Sequence, residues 1–384
     1  METPDLRNAG GGPGGTEGLP IIRIQNLNGR NFDFYSGPTD SRWIVDPGQL
    51  LFAWAGTKGV SFGPTIWRGG KGVLNQHIFK VIPNGGIDNI WLYWALRYVT
   101  NRIEANAHGF KATLVHVKKS DIDRQSVIVP DRRTQSQIAE IMQTWDEAIA
   151  VTEKLLANSR KLKLAMTQRF FDIRKQSVSN TPWRQYHLRE VAQRIQRQAD
   201  GAEHPILMIS SGSGFVRQDE KYSRFMAGKS LNDYVLLKQG EFAYNKGNSK
   251  LYEFGCVFPL ESNSDGLVPH VYVCFSLSNE CDSAFFKYLF EADYLHDQLG
   301  ALVNTGVRNN GLLNIRPADF MNVRVPVPSI DEQRMIARIL DTASKEIAVR
   351  EQEVAALKEQ KRALMQQLLT GKRRIHVPIA EAAP

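Results

Sequence analysis

One long segment of this 384-residue chain occurs twice, and that duplication constrains the fold more than any other feature. Val129-Pro130 through Phe171 aligns without a gap onto Val327-Pro328 through Leu369, at a constant offset of 198 positions. Identical pairs include Gln135/Gln333, Ile138/Ile336, Ala139/Ala337, Ile141/Ile339, Thr144/Thr342, Ile149/Ile347, Ala157/Ala355, Lys163/Lys361, Ala165/Ala363 and Gln168/Gln366. Chance does not produce such a match over some forty ungapped positions.

Both copies read as helices. Ile336, Leu340, Ala343, Ile347, Arg350, Val354, Leu357, Lys361, Leu364 and Leu368 step by alternating fours and threes, the 3.5-residue period of a coiled-coil seam. Ile138, Met142, Trp145, Ile149, Thr152, Leu156, Ser159, Lys163, Met166 and Phe170 repeat that stripe in the first copy. Neither copy contains an internal proline or glycine; Pro130 and Pro328 precede them, and Gly371 follows the second as a helix stop. Two such stripes bury most simply against each other, and an antiparallel pairing puts the intervening domains at opposite ends. Lys163 and Lys361 fall on the seams, either to fix register or to snorkel outward.

The parts between the helices repeat more loosely. Pro20-Ile21-Ile22-Arg23-Ile24 resembles Pro205-Ile206-Leu207-Met208-Ile209, and the run Val45 to Ala53 resembles Leu236 to Ala243. A run after Gly109 matches one after Gly306, and Ser120-Asp121-Ile122 answers Ala318-Asp319-Phe320. Short alternating runs such as His270 to Phe275, broken by Gly, Asn and Pro, predict curved strands. One helix is expected over Asn89–Asn106 and its counterpart over Ser283–Gly300. The fold class is therefore α+β (mixed α/β), pseudo-two-fold, with two domains separated by two long antiparallel helices forming a coiled coil. The expected divisions are a Gly-rich disordered leader (1–18), a first domain (19–133), a first spacer helix (134–172), a second domain (173–328), a second spacer helix (329–372) and a tail (373–384).

Composition narrows the function classes. A net charge of +8 favours a polyanionic partner without choosing which one. Cys256, Cys274 and Cys281 lack metal or redox spacing and fit free thiols in a cytoplasmic protein. The richest apolar run, Ile87 to Val99, is short and carries Asp88 and Arg97, so no membrane span is expected. There is no Gly-x-x-x-x-Gly-Lys-Ser/Thr loop, no Asn/Asp-Pro-Pro-aromatic tetrapeptide and no His-Glu-x-x-His pattern; no catalytic or metal residue is assigned.

The segment Val325-Pro-Val-Pro-Ser-Ile-Asp-Glu-Gln-Arg-Met-Ile-Ala-Arg-Ile-Leu340, with Leu368-Leu369-Thr370-Gly371-Lys372 at its far end, resembles the specificity subunit of type I restriction–modification systems. So do Trp183…Leu188-Arg189-Glu190-Val191 ahead of the second domain and Pro-Ile-Ile-Arg-Ile ahead of the first. The resemblance implies two target recognition domains, each reading half of a split double-stranded DNA site. It implies helices that set the gap and dock two methyltransferase subunits, with restriction (nuclease/translocase) subunits completing the complex. The chain itself would be non-catalytic; S-adenosylmethionine, ATP and Mg would belong to the partner subunits. Two departures stand out. Thr134 replaces the glutamate found as Glu332 in the second copy, and the first domain has no counterpart of Trp183 to Val191. A shortened start or a strand supplied by another segment would each explain the second departure.

Basic and amide side chains near glycines are the expected DNA contacts, because Arg and Lys suit guanine edges and phosphates and Asn suits adenine. In the first domain these are Arg23, Asn26, Arg30, Arg42, Thr57, Lys58, Arg68 and Lys71. In the second they are Lys221, Arg224, Tyr244, Asn245, Lys246, Asn248, Ser249, Lys250 and Arg308. Trp43, Trp54 and Trp67 either stack on a base or pack the core. A helix of about 36 residues spans roughly 50 Å, against 34–36 Å for one turn of B-DNA. Two other readings remain open from residues alone: a single-chain restriction or modification enzyme, and a coiled-coil adaptor without a DNA role.

Overall fold

The computed structural model describes residues 18–27, 32–75, 77–106, 114–117, 119–172, 183–221, 233–247, 249–262, 264–303 and 313–375. The Gly-rich leader, except Gly18, and the tail beyond 375 lie outside these, as do the runs after Gly109 and Gly306. Two compact units emerge, residues 1–153 with 352–384 and residues 154–351.

In chain order the first elements are β1 (Leu19–Ile22), β2 (Phe34–Tyr35), β3 (Ile44–Val45), β4 (Leu50–Ala53), β5 (Ala55–Thr57), β6 (Gly63–Ile66), β7 (Gly72–Leu74) and β8 (Ile78–Lys80). Then come α1 (Asn89–Asn106), β9 (Leu114–His116), α2 (Lys119–Asp123) and the long α3 (Arg132–Phe171). β10 (Arg184–His187), α4 (Leu188–Val191), β11 (Ala192–Ile195), β12 (Leu207–Ser210), β13 (Gly214–Arg217), α5 (Gln218–Lys221) and β14 (Val235–Leu237) follow. The chain continues through β15 (Phe242–Asn245), β16 (Cys256–Pro259), β17 (Gly266–Val268), β18 (Val273–Leu277), α6 (Ser283–Glu291), α7 (His296–Leu302), α8 (Pro317–Phe320), β19 (Arg324–Val327) and the long α9 (Ile330–Leu369).

In the first unit the uninterrupted apolar run of β4 is buried at every position, as a central strand requires, and pairs antiparallel with β6 and β8. A second sheet has the order β2-β1-β7-β3. Helix α1 starts where the Asp88 carboxylate accepts the Ile90 and Trp91 amides, each at 2.9 Å. It buries Trp91, Trp94, Ala95 and Val99, the three-to-four spacing of one helix face.

The second unit uses the same plan with additions. β15 takes the part of β4, between β16 and β18, while β11 extends that sheet beyond β18. β7 pairs with β1 in parallel and β3 antiparallel; β17 likewise pairs antiparallel with β14 and makes a parallel bridge from Leu267 to Ile206. The helix expected over Ser283–Gly300 is two, α6 and α7. Between them Asp293 takes a φ of 54°, a left-handed turn that a continuous helix cannot contain.

Each unit contains its own stretch of the antiparallel helix pair. In the first, Ile138 and Met142 of α3 share a core with Met365, Leu368 and Leu369 of α9. In the second, Phe171, with Met166 and Phe170 packed alongside, shares one with Ile336, Ala337 and Leu340. Of the residues on the expected seam, Ile138, Met142, Ile149, Leu156, Ile336, Leu340, Val354 and Leu368 are buried, and Trp145, Met166, Ile347, Leu357 and Leu364 half-buried. The mixed α/β fold class with two long antiparallel helices is the one observed.

The duplication also extends to a buried hydrogen-bonded clasp. Gln135 Oε1 accepts the Asp88 amide at 2.7 Å while its Nε2 donates to Pro130 O at 2.9 Å. Gln333 Oε1 accepts the Asp282 amide at 2.7 Å and its Nε2 donates to Pro328 O at 2.9 Å. Asp282 caps α6 as Asp88 caps α1. In each unit, therefore, one glutamine ties the start of a long helix to the start of the domain's own helix.

Both seam lysines turn inward. Lys361 pairs with Asp146 of α3, its ammonium 4.2 Å from the Trp94 ring centroid. Lys163 pairs with Glu291 at 3.6 Å and lies 5.1 Å from the Tyr288 ring centroid. Lys361 is mostly shielded whereas Asp146 is half exposed. Replacing Asp146 by alanine leaves an unbalanced cation and is expected to cost about 1.5 kcal/mol. Lys361→Met keeps the packing over Trp94 and is expected to change stability by less than about 1 kcal/mol. Urea unfolding of both variants checks this; equal losses would mean that the pair acts as an ordinary surface ion pair.

Candidate nucleic-acid interface

In each unit the central strand runs into a loop before its edge partner. β4 leads through residues 54–62 to β6, and β15 leads through residues 246–255 to β16. Of the sequence-expected residues, Thr57 closes β5 and Lys58 follows it on the first loop, while Asn245 closes β15 and Lys246, Ser249 and Lys250 lie on the second loop.

The first loop is built tightly. Thr57 O accepts the amides of Val60, Ser61 and Phe62, and the Thr57 amide donates to Ser61 Oγ at 2.9 Å. A side chain on Gly56, at φ 152°, would meet the Phe62 amide nitrogen at 2.9 Å, so glycine is required there. Glu104, buried on α1, accepts the Gly59 amide at 3.0 Å, while Lys58 Nζ donates to the Glu104 carbonyl at 3.1 Å. α1 thus pre-positions the loop.

The second loop has its own scaffold. Asn245 Oδ1 accepts the Gly247 amide at 3.0 Å, and Ser249 Oγ accepts the Tyr252 amide at 3.0 Å. The Lys246 carbonyl accepts the Leu313 amide at 3.0 Å. A side chain on Gly255 would meet Asn245 O at 2.4 Å. Lys250 is left exposed at the loop tip.

The remaining candidates divide. Arg23, Arg42 and Lys71 gather around the β2-β1-β7-β3 sheet, each facing a carboxylate: Asp33, Asp40 at 2.6 Å and Asp46 at 3.9 Å. Hydrogen bonding to Asp40 raises the Arg42 pKa and lowers that of Asp40. A phosphate must displace these partners. Arg68 is exposed at the mouth of a groove of about 1300 Å³ that Tyr93, Trp94 and Arg97 also line.

Two expected contacts are corrected. Asn26 is buried, its Oδ1 accepting the Arg23 amide at 3.1 Å in the turn after β1. Tyr244 is fully buried, stacks on Phe320 at 4.2 Å and donates to Phe254 O at 2.7 Å. Alternation along β15 turns Tyr244 to the core, and burial raises its pKa. Arg30, Arg224, Asn248 and Arg308, and the side chain of Lys221, lie outside the described residues. Trp67 is a packing residue, its Nε1 donating to Gly70 O at 2.7 Å, and Trp54 packs beside His77 and Phe79.

The sequence reading passed over the exposed Lys372, Arg373 and Arg374 after α9, although the basic run itself was visible. Burial pushes the thiols of Cys256 and Cys274 up to about 12 and also raises that of Cys281, which suits packing residues rather than nucleophiles. Among the described residues no His, Cys, Asp or Glu group could hold a metal, and no helix is long and apolar enough to cross a membrane.

The family described as "Type I restriction modification DNA specificity domain" matches residues 13–158. The chain is 23% identical over 361 residues to the type I restriction enzyme MjaVIII specificity subunit of Methanocaldococcus jannaschii, covering 88% of this chain and 82% of that protein. A structure of an S subunit from M. genitalium covers 92% of this chain, and this chain 89% of it, with TM-score 0.52 and 15% identity. A structure from work on the assembly and conformational transition of the type I R-M system covers 92% of each chain, with TM-score 0.57 and 14% identity. Duplicated domain, duplicated seam helix and these relatives point the same way: residues 13–158 match the specificity domain, and the chain is similar over most of its length to a specificity subunit of a type I restriction enzyme.

Proposed function

We propose that each unit presents its central-strand loop to DNA, residues 54–62 for one half of a bipartite site and 246–255 for the other. The observation that carries this reading is the equivalence of the two loops. Each leaves the buried central strand of its sheet, is held rigid by internal hydrogen bonds and carries lysine beside hydrogen-bonding side chains. Rigid loops lose little entropy on binding, so their contacts translate into discrimination.

On this reading the chain selects the DNA and performs no chemistry. Methyltransferase subunits would dock on the long helices, which set the gap between half-sites, and restriction subunits would join them. S-adenosylmethionine, ATP and Mg would be held by those partners.

The test uses the chain assembled with its methyltransferase subunits, in band shifts at graded salt on matching and scrambled duplexes. Log affinity should fall linearly with log salt, by about 0.9 per phosphate contacted. Lys250→Ala should reduce that slope by about 1 on both duplexes, and Asn245→Ala should cost roughly 1–3 kcal/mol on the matching duplex alone. An unchanged slope together with unchanged discrimination would remove the second loop from the interface. Sequencing adenine methylation in hosts with and without the chain should show one split motif disappearing.

A further inference from the structure

The two units differ at one edge. In the second, β10 pairs antiparallel with β19, Arg184 opposite Val327 and Tyr186 opposite Val325. The Leu188 amide continues the ladder to Val323 O at 2.8 Å. Residues 323, 325 and 327 therefore turn their backbone groups toward β10, while Pro326, which has no N–H, faces away. Trp183 leads this strand into the core, against Phe285, and its Nε1 donates to Glu332 Oε1 at 3.0 Å.

The same 198-residue offset maps β19 onto Ser126–Val129. The turn before it is preserved: the Gln125 amide donates to Ile122 O at 3.0 Å, as the Val323 amide does to Phe320 O at 3.2 Å. Val127 packs against its core as Val325 does. Yet Ser126–Val129 pairs with no described strand, its backbone hydrogen-bonds to no other described residue, and Ile128 and Val129 are 60% and 52% exposed. Beside it lies an open groove of about 330 Å³ lined by Ile128, Asp131, Thr134, Ile138, Leu368 and Ile375. Thr134, Ile138 and Leu368 are the counterparts of Glu332, which accepts from Trp183 Nε1, and of Ile336 and Phe170, which belong to or pack against the core that holds Trp183.

We propose that Gln125–Val129 is a receptor edge for an added antiparallel strand, and that its occupant is a polypeptide segment of the Trp-x-x-x-x-Leu-x-x-Val kind seen in Trp183–Val191. The strand supplies backbone hydrogen bonds to the edge, and its tryptophan enters the groove, where the Asp131 carboxylate replaces Glu332 as acceptor. The occupied counterpart, β10 on β19, lies within the same chain and is independent of which DNA is read. Unpaired edges are general templates for such strand addition.

The probe is a labelled synthetic peptide with the sequence of residues 183–195, titrated into the full chain. Saturable one-to-one binding is expected, with slowed hydrogen exchange at the Val127 and Val129 amides. Val129→Pro removes an N–H directed at the incoming strand and should weaken binding about tenfold or more. Ile128→Pro copies Pro326 and should be tolerated. A peptide with Trp183→Ala should bind far more weakly. Absence of saturable binding, or equal loss from both prolines, overturns the proposal. Hydrogen exchange on the unsubstituted chain gives the answer independently should a proline variant misfold, since unprotected Val127 and Val129 amides at saturating peptide also overturn it.

Discussion

Leucine in place of Gln333 is expected to destabilise the second unit by about 4 kcal/mol. Gln333 is fully buried, accepts the Asp282 amide, and donates to Pro328 O and, at 3.1 Å, to Glu280 O. Leucine has similar bulk but leaves the part-buried Asp282 amide, the buried Pro328 carbonyl and the part-buried Glu280 carbonyl without this partner, and a buried orphan costs roughly 1–3 kcal/mol. Gln333→Glu should cost nearly as much, because its carboxylate accepts from Asp282 but cannot donate to either carbonyl. Urea unfolding followed by fluorescence, with hydrogen exchange at the Asp282 amide, gives the measurement. A loss under about 1 kcal/mol would show that the clasp is dispensable to the fold. The same substitution at Gln135 should act on the first unit.

The second large effect is expected at the outer face of the helices. Leu155, Leu162 and Leu164 of α3 are 44%, 59% and 58% exposed, and Val349 of α9 is 62% exposed. Leu155 and Leu162 stand seven residues apart, so they share one helical face, distinct from the seam that buries Leu156. On the proposed assembly this face receives a methyltransferase subunit. Leu155→Glu combined with Leu162→Glu should weaken that association by roughly 100-fold, since burying carboxylates in an apolar contact costs several kcal/mol. Folding should be unaffected because both sites face solvent in the free chain. Co-purification and calorimetric titration with the methyltransferase subunit check this, and full-strength assembly would place the docking surface elsewhere.

The seam residues were legible because a coiled-coil period is a local, repetitive signal, and here it is written twice. Asn89–Asn106 was readable as a helix, whereas the break at Asp293 was not; nothing in Glu291-Ala292-Asp293-Tyr294 announces a left-handed turn. The loop candidates were legible only as a pool. Composition marks Asn26 and Tyr244 as readers as readily as Lys250, and only packing separates them. Gln135 and Gln333 were visible as an identical pair, but their purpose depends on Asp88 and Asp282, 47 and 51 residues away.

The sequence by itself determined that the chain contains two copies of one plan, each with a long seam helix, because residues near in sequence carry that information through periodicity and identity. Only the tertiary structure decided which cations meet carboxylates, which loop glycines are sterically required, and which of two equivalent edges is paired. Those outcomes rest on contacts between distant residues: Gly59 with Glu104, Trp183 with Glu332, β10 with β19. Such contacts depend on how the chain closes, and no local pattern encodes that closure.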